Sequence, residues 1–219
     1  MRCLPLLLLL ALAGCNKEEP ARPAPPPIAK EAPASDRPVI VTFGDSLSAG
    51  FGLDAGLSYP DYLQKDLDSS GYRYRVMNES VSGDTSGGGL SRLPMVVEHK
   101  PRIVIVELGA NDGLRGIPVS TTHENLDLIL RELKKAGAKV LLAGITLPRN
   151  YGPDYIREFD RIYPELAKKH NVPLLPFLLE GVALDKKLML GDALHPNAAG
   201  NRLVAKNVME ALQPLLVRQ

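Results

Sequence analysis

The sequence has very little cysteine and no surplus of either charge, and both absences exclude classes of protein. Lysine and arginine number 26 against 25 aspartates and glutamates, so a net charge of +1 offers no basic field for nucleic acid. Cysteine occurs only at Cys3 and Cys15. A domain after these positions would contain no thiol and no disulfide, and its size allows core burial alone to stabilise it.

Patterns that hold metals or nucleotides are also missing. The four histidines do not stand at metal-ligand spacing, and the glycines at 87–89 are not followed by the Lys-Ser/Thr pair of a phosphate-binding loop. We therefore expect no metal and no cofactor, and we expect His99, His123 and His170 at the surface. Tryptophan is absent and aromatic residues make up only 5% of the chain, which leaves few platforms for stacking a sugar ring.

The N-terminus carries an apolar run, at residues 4–14, that is too short for a bilayer span of about 20 residues. It follows an arginine and ends in small residues, as an export signal does. Residues 12–15, Leu-Ala-Gly-Cys, resemble a bacterial lipobox, in which the signal is cut before a cysteine that receives lipid. This predicts an exported lipoprotein anchored at Cys15 in the periplasm, with Asn16 favouring the outer membrane. Ordinary secretion with an incidental cysteine is the alternative.

Residues 15–37 are dominated by proline, alanine, lysine and glutamate and show no hydrophobic periodicity. This composition predicts an extended tether with polyproline character, and a merely disordered segment would differ little in its physical consequences. The predicted organisation is therefore a lipoprotein signal peptide at 1–14, a lipidated cysteine with a Pro-rich tether at 15–37, and one domain at 38–219.

Within that domain, short runs rich in β-branched residues alternate with longer segments of helical periodicity. This pattern predicts a three-layer α/β/α sandwich with a five-stranded parallel sheet. The strands are expected at residues 39–43, 74–78, 103–107, 140–145 and 173–177. Two helices are expected to bury apolar stripes, one with Leu126, Ile129, Leu130 and Leu133 and another with Ile156, Phe159, Ile162 and Leu166. Ligands bind beyond the carboxyl ends of such strands, so chemistry is expected there.

The first strand runs into residues 44–48, Gly-Asp-Ser-Leu-Ser, where the glycine permits a tight turn and leaves Ser46 at the strand's carboxyl end. Such a serine is a candidate nucleophile, although a serine in this position alone is more often a helix cap. The segment is not the G-x-S-x-G elbow, because its fifth position is Ser48.

Near the C-terminus, Asp192 and His195 stand three residues apart on a turn or short loop before Pro196, which is expected to start the last helix. With this spacing the carboxylate can accept from one ring nitrogen while the other faces outward. Either residue alone is equally consistent with a capping aspartate or a surface histidine. Together with a candidate nucleophile, they indicate an oriented base.

Acyl transfer also needs hydrogen-bond donors for the oxyanion that develops in the transition state. Gly83, after the second strand, allows its backbone N–H to approach a substrate closely, and Asn111, after the third, supplies a side-chain amide. Each stretch alone is equally consistent with an ordinary turn. The four clusters in this order favour a single catalytic site.

This ordered set resembles the SGNH/GDSL hydrolase family, whose four conserved blocks centre on Ser, Gly, Asn and His, matched here by Ser46, Gly83, Asn111 and His195. The resemblance covers the chain from the end of the tether to the C-terminus and implies the flavodoxin-like fold of SGNH hydrolases. By the family pattern, Ser46 is the nucleophile, His195 the base and Asp192 its orienting carboxylate. The oxyanion hole would consist of the Ser46 and Gly83 N–H groups and the Asn111 amide.

Two further segments, 147–152 and 162–167, look most like the multifunctional family members that cleave acyl-CoA, aryl esters and lysophospholipids. We therefore expect a serine hydrolase of carboxylic esters and thioesters. Members of that kind are soluble, so the lipobox is a departure that concerns location and natural substrate. Substrate contacts are expected from the nucleophile turn and the loops after the third and fourth strands: Asp45, Leu47, Leu114, Ile117, Leu147 and Tyr151.

Two alternatives stay open. The same fold and triad serve carbohydrate esterases, so one is an O-deacetylase of cell-envelope polysaccharide, which the shortage of aromatic residues ranks lower. The other is a non-catalytic envelope lipoprotein that binds lipids or a partner in its cleft. The expected partners are acyl ester or thioester substrates and, through Cys15, a membrane. A monomer is the favoured state, although no residue pattern decides it.

Overall fold

The computed structural model describes residues 36–218. The predicted signal peptide, the lipid-attachment residue Cys15 and nearly all of the predicted tether therefore lie outside the described residues. Within the described range, no helix combines the length and the apolar character that a membrane crossing requires.

Five parallel strands form one sheet in the order β2-β1-β3-β4-β5, which confirms the predicted five-stranded parallel sheet. The strands are β1 Val39–Gly44, β2 Arg75–Asn78, β3 Ile103–Glu107, β4 Lys139–Ala143 and β5 Leu174–Leu175. β5 is shorter than predicted. Pro173 and Pro176 flank it, and a proline has no N–H to donate to a neighbouring strand.

Helices cover both faces of this sheet. In the described part of the chain they are α1 Ser46–Ala49, α2 Tyr59–Ser69, α3 Ser86–Glu98, α4 Ala110–Leu114, α5 Val119–Lys135, α6 Pro153–Asp160, α7 Ile162–His170 and α8 Ala198–Leu212. α2 and α8 pack together on one face, and α3, α5 and α7 pack on the other. The predicted three-layer α/β/α architecture is therefore present.

The core lies on both faces of the two central strands. Ile40, Val41 and Phe43 of β1 and all of the apolar residues of β3 are fully buried. Continuous apolar runs of this kind are typical of parallel strands that helices cover on both sides. The predicted stripe of α5 is buried as expected: Leu126, Ile129, Leu130 and Leu133.

Two helix boundaries differ from the prediction. The segment expected as one helix over residues 156–166 divides into α6 and α7 around Arg161, because Pro164 lacks an N–H and its ring crowds the carbonyl four residues earlier. Pro196 does not start the last helix. It forms an isolated antiparallel bridge with Met189, and Asn197 caps α8 by accepting from the Gly200 N–H at 3.1 Å.

Candidate active site

The nucleophile turn joins the end of β1 to α1. Asp45 caps this short helix, since its Oδ1 accepts from the Leu47 N–H at 3.0 Å. Ser46 is the first residue of α1 and not its cap, so the helix-cap interpretation applies to its neighbour. The hydroxyl of Ser46 is therefore available to a side chain from another part of the fold.

That side chain is His195, which is 149 positions away in the sequence. Its Nε2 lies 2.8 Å from Ser46 Oγ, and its Nδ1 lies 2.7 Å from Asp192 Oδ2. The carboxylate is fixed in turn, because its Oδ1 accepts from the backbone N–H groups of Leu194 at 2.9 Å and His195 at 3.0 Å. The three predicted catalytic residues thus form a continuous hydrogen-bonded chain.

The charge state of Asp192 suits the position it occupies. Partial burial alone would raise its pKa, but the hydrogen bonds from the backbone of His195 and Leu194 and from the imidazole lower the pKa to about 2. The group is ionised at neutral pH. It can therefore hold one ring tautomer of His195 and stabilise the imidazolium that forms when the ring takes a proton.

Three hydrogen-bond donors line the same cleft as Ser46 Oγ. Within residues 36–218, the backbone N–H groups of Ser46 and Gly83 have no protein acceptor. Asn111 donates one amide hydrogen to Asp45 Oδ2 at 3.0 Å and keeps the second free for a ligand. Gly83 has φ +81° and is held by Arg115, whose Nη2 donates to the Gly83 carbonyl at 2.7 Å.

Arg92 of α3 ties the nucleophile turn to the loop that carries Gly83. Its Nη2 donates to the carbonyl of Gly44 at 2.9 Å, and its Nε pairs with Asp84 at 2.5 Å. The guanidinium also stacks on the ring of Phe43, 4.4 Å from the centroid. Sequence reasoning missed this arginine, because helical periodicity places it on an ordinary polar face.

The residues described so far open into a cleft of about 980 Å³. Phe51 lines it with its ring centroid 4.5 Å from that of His195, although the residue is 48% exposed. Most of the lining is apolar: Leu47, Phe51, Leu114, Ile145, Leu147, Ile156, Phe177, Leu179, Ala183, Leu184, Met189 and Leu194. The cleft therefore combines a polar end at Ser46 with a long apolar wall.

The predicted substrate contacts divide into two groups. Leu47, Leu114 and Leu147 line the cleft, as expected. Asp45 borders it but is fully buried and serves as the α1 cap, so it offers no surface to a substrate.

Ile117 and Tyr151, also expected as substrate contacts, are not among the described residues that line the cleft. The Tyr151 hydroxyl donates to the Leu114 carbonyl at 2.9 Å, so this side chain supports the loop that carries Leu114.

Phe51 and the wall from Phe177 to Met189 were not predicted. They come from connecting segments without periodicity, and only their position in the fold brings them to Ser46.

Two of the other histidines lie beside carboxylates. His99 lies 2.9 Å from Glu79, and His170 lies 2.7 Å from Asp127. The side chain of His170 is 11% exposed, so it is more buried than its expected surface position implied. No cluster of three or more His, Cys, Asp or Glu side chains within the described range is placed to hold a metal ion.

Residues 42–203 match the model of the GDSL-like lipase/acylhydrolase family. The chain belongs to this family. The prediction made from the four motif blocks is thereby confirmed at the level of the family.

Relatives within the family extend over most of the chain. The esterase TesA of Pseudomonas aeruginosa is 47% identical over 178 residues, which cover 81% of this chain and 89% of that protein. The thioesterase 1/protease 1/lysophospholipase L1 of Escherichia coli K12 is 45% identical over 178 residues, covering 81% of this chain and 84% of that protein. A crystal structure of TesA superposes with a TM-score of 0.79 at 46% identity and covers 81% of this chain and 99% of that one.

Proposed function

We propose that this GDSL-family protein is a serine hydrolase that cleaves carboxylic esters and thioesters through an acyl-enzyme. The observation that carries the proposal is the chain of contacts from Ser46 Oγ to His195 Nε2 at 2.8 Å and from His195 Nδ1 to Asp192 Oδ2 at 2.7 Å. A nucleophile, a base within hydrogen-bond reach and a carboxylate that orients the base are the parts that covalent acyl transfer needs.

In the first half-reaction, Ser46 Oγ attacks the acyl carbonyl while its proton passes to His195 Nε2. The carbonyl oxygen becomes an oxyanion, which accepts from the Ser46 and Gly83 N–H groups and the free Asn111 amide hydrogen. Asp192 stabilises the imidazolium formed in this step. The tetrahedral intermediate then collapses, the bond to the leaving group breaks, and the imidazolium gives its proton to the departing alkoxide or thiolate.

In the second half-reaction, water takes the place of the leaving group. His195 removes a proton from the water as it attacks the acyl-serine carbonyl, and the same donors hold the new oxyanion. Collapse of this intermediate breaks the bond to Ser46 Oγ, which regains its proton from His195. The carboxylic acid leaves and the site returns to its starting state.

The cleft supports acyl substrates with an extended apolar chain. Its volume of about 980 Å³ and its lining of leucine, isoleucine and phenylalanine suit a hydrocarbon that extends away from Ser46. Relatives over most of the chain are named as an esterase, a thioesterase and a lysophospholipase. We therefore assign aryl esters, acyl-CoA and lysophospholipids as the candidate substrates.

Hydrolysis of p-nitrophenyl esters graded from acetate to palmitate, alongside acyl-CoA and a lysophospholipid, tests this assignment. The expected result is turnover that peaks at medium or long chains and is lost in Ser46→Ala. Activity confined to acetate would overturn the lipid assignment in favour of a polysaccharide deacetylase. A chain that hydrolyses none of these substrates would instead be a binding lipoprotein.

We also propose that the protein is an exported lipoprotein with lipid on Cys15, held in the periplasm on the outer membrane. Support comes from the Leu-Ala-Gly-Cys sequence at residues 12–15 after a short apolar run, with Asn16 following. Mass spectrometry of the protein from membranes should find an acylated N-terminal Cys15. Recovery of Cys15→Ser in the membrane fraction at the same level as the wild type would contradict this attachment.

A further inference from the structure

Glu107 ends β3 and lies directly beneath the nucleophile turn. Its Cα pairs with that of Gly44 across the sheet, and its side chain is fully buried. One carboxyl oxygen, Oε2, accepts from the Asp45 N–H at 3.2 Å and from the Ser48 hydroxyl at 2.8 Å. These two donors flank Ser46 in the sequence, so a single oxygen holds the turn before and after the candidate nucleophile.

The surrounding residues leave room for the Glu107 carboxyl group, and they give the Ser48 hydroxyl a second hydrogen-bond partner. A Cβ on Gly44 would come within 2.5 Å of both Glu107 Oε2 and Ser48 Oγ, so glycine at this position allows the two side chains to meet. The Ser48 hydroxyl also lies 2.9 Å from the Tyr59 hydroxyl. Because the hydrogen of Ser48 goes to Glu107, Tyr59 donates to Ser48 and extends the network into α2.

The surroundings of Glu107 decide whether its carboxyl group carries a proton. Glu107 has no ion-pair partner in the described range, and its second oxygen, Oε1, is buried without a hydrogen bond. A full negative charge on Glu107 would therefore be uncompensated in the interior.

The titratable groups around Glu107 and Asp45 favour a proton on Glu107. Those that interact with Glu107 are Asp45, Tyr59 and Tyr163, none of which is a cation, while His195 acts on Asp45. Burial, and next the charge of Asp45, raise the pKa of Glu107 well above its ordinary range. Burial raises the pKa of Asp45 only to about 6, so this group is mostly ionised at neutral pH.

Asp45 transmits the constraint to the oxyanion donors. Its Oδ2 accepts from Asn111 Nδ2 at 3.0 Å, and its Oδ1 accepts from the Leu47 N–H at 3.0 Å. A carboxylate only accepts hydrogen bonds, so Asn111 has to turn its amino group and not its carbonyl toward Asp45. The remaining hydrogen of the same amino group then faces the cleft.

We propose that Glu107 is a positioning residue which, as a neutral acid, holds Ser46 for attack and, through Asp45, holds Asn111 toward the oxyanion. The inference rests on the proposed hydrolase function and adds a residue that touches no substrate. Glutamine can reproduce this role, because its carbonyl accepts from the Asp45 N–H and the Ser48 hydroxyl and its side chain carries no charge. Leucine has similar bulk but cannot accept either hydrogen bond.

The test compares kcat and KM of the full-length wild type, Glu107→Gln and Glu107→Leu on one short p-nitrophenyl ester. We expect Glu107→Gln to keep a kcat near the wild type, and Glu107→Leu to lose about 10²-fold in kcat, the cost of a small misplacement of reacting groups. KM should stay unchanged in both, because no residue of the cleft wall is altered. Ile105→Ala on the same strand is the matched control, expected to lower the melting temperature without lowering kcat.

Infrared spectroscopy reads the proton directly and keeps the proposal testable if Glu107→Leu does not fold. The C=O stretch of a buried carboxylic acid should be present in the wild type at neutral pH and absent from Glu107→Gln. A wild-type kcat in folded Glu107→Leu, or a loss in Glu107→Gln as large as that in Glu107→Leu, would overturn the role of Glu107 alone. A wild type without Ser46-dependent turnover would overturn the proposed function, and this inference with it.

Discussion

The two sides of the candidate site are held in different ways. On one side, Ser46 depends on distant residues, since Glu107 of β3 and Tyr59 of α2 support its turn from a fully buried position. On the other side, His195 and Asp192 lie on a short, largely exposed loop whose hydrogen bonds are local. The comparison shows that tertiary packing fixes the nucleophile, whereas the sequence immediately around it fixes the base.

The largest expected effect comes from removing either of the two side chains through which the two sides meet, Ser46 and His195. Ser46→Ala and His195→Ala should each lower kcat by about 10⁶-fold, because nucleophile and base act as one unit. Both residues lie at the cleft surface, so the melting temperature should hardly change. Activity should be measured on p-nitrophenyl esters, with circular dichroism as the control for folding. Wild-type-like turnover in a well-folded Ser46→Ala protein would refute the mechanism.

Removing the orienting carboxylate tests how much the local loop contributes beyond the base itself. Asp192→Ala should lower kcat by about 10⁴-fold, less than either of the first two substitutions, because His195 stays in place but loses its fixed tautomer. Steady-state kinetics on the same ester series measure the difference. A loss equal to that of His195→Ala would mean that the loop does not position the ring without Asp192.

On the side of the nucleophile, Asn111→Ala removes one oxyanion donor and leaves Asp45 Oδ2 without the hydrogen bond that it accepts from Asn111. The expected loss is about 10²–10³-fold in kcat with little change in KM, because the donor acts only when the oxyanion forms. Ser91→Ala on the exposed surface of α3 provides a control that removes a polar group elsewhere. A change confined to KM would place Asn111 in ground-state binding instead.

The exposed side also supplies a wall of the cleft, and a smaller effect on selectivity is expected there. Leu184 is 82% exposed with φ +70°, and it lines the cleft. Leu184→Asp should lower activity on long acyl esters about tenfold more than on acetate, because one chain segment loses its apolar contact. Met95→Asp is the matched control, since Met95 is 59% exposed and is not among the cleft-lining residues described. Equal losses on both esters would contradict an acyl-chain wall at Leu184.

The pKa values of the two aspartates, Asp45 and Asp192, are shifted in opposite directions. Their contributions to stability should therefore change with pH in opposite senses, which is the smallest effect expected. Burial raises the pKa of Asp45 to about 6 from 3.8, so the folded state holds a proton that the unfolded chain releases. Stability from this group therefore falls as pH rises from about 4 to about 6.

The pKa of Asp192 is lowered to about 2. Its contribution is present above about pH 4 and is lost as pH falls toward 2. Denaturant unfolding over this range should show that Asp45→Asn removes the first slope and Asp192→Asn the second. A slope that persists in the matching variant would belong to other groups.

Much of the fold was predictable because it follows from local pattern. Short apolar runs identified every strand, and α5 showed its buried stripe directly in its periodicity. Boundaries failed where proline acts through its missing N–H, at β5 and between α6 and α7. The effect of a proline depends on which acceptor the missing N–H would have met in the folded chain, and residue spacing alone does not show this.

The candidate site was predictable in its residues more than in its geometry. Ser46, Asp192 and His195 follow from motifs and a resemblance, and the structure brings them together. Tyr151 was expected to contact substrate, and the structure shows its hydroxyl donating to the Leu114 carbonyl. Phe51 had no sequence signal at all, because exposed aromatic residues in glycine-rich loops carry no periodicity.

By itself, the sequence determined the alternation of strands and helices, the order of the strands along the chain and the local turn that joins Asp192 to His195. These features depend on residues that are near one another in the chain. Only the tertiary structure decided that His195 meets Ser46 across 149 positions and that Glu107 lies under the nucleophile turn. Periodicity shows that a side chain faces inward, but strand order and register decide which distant side chain it meets there.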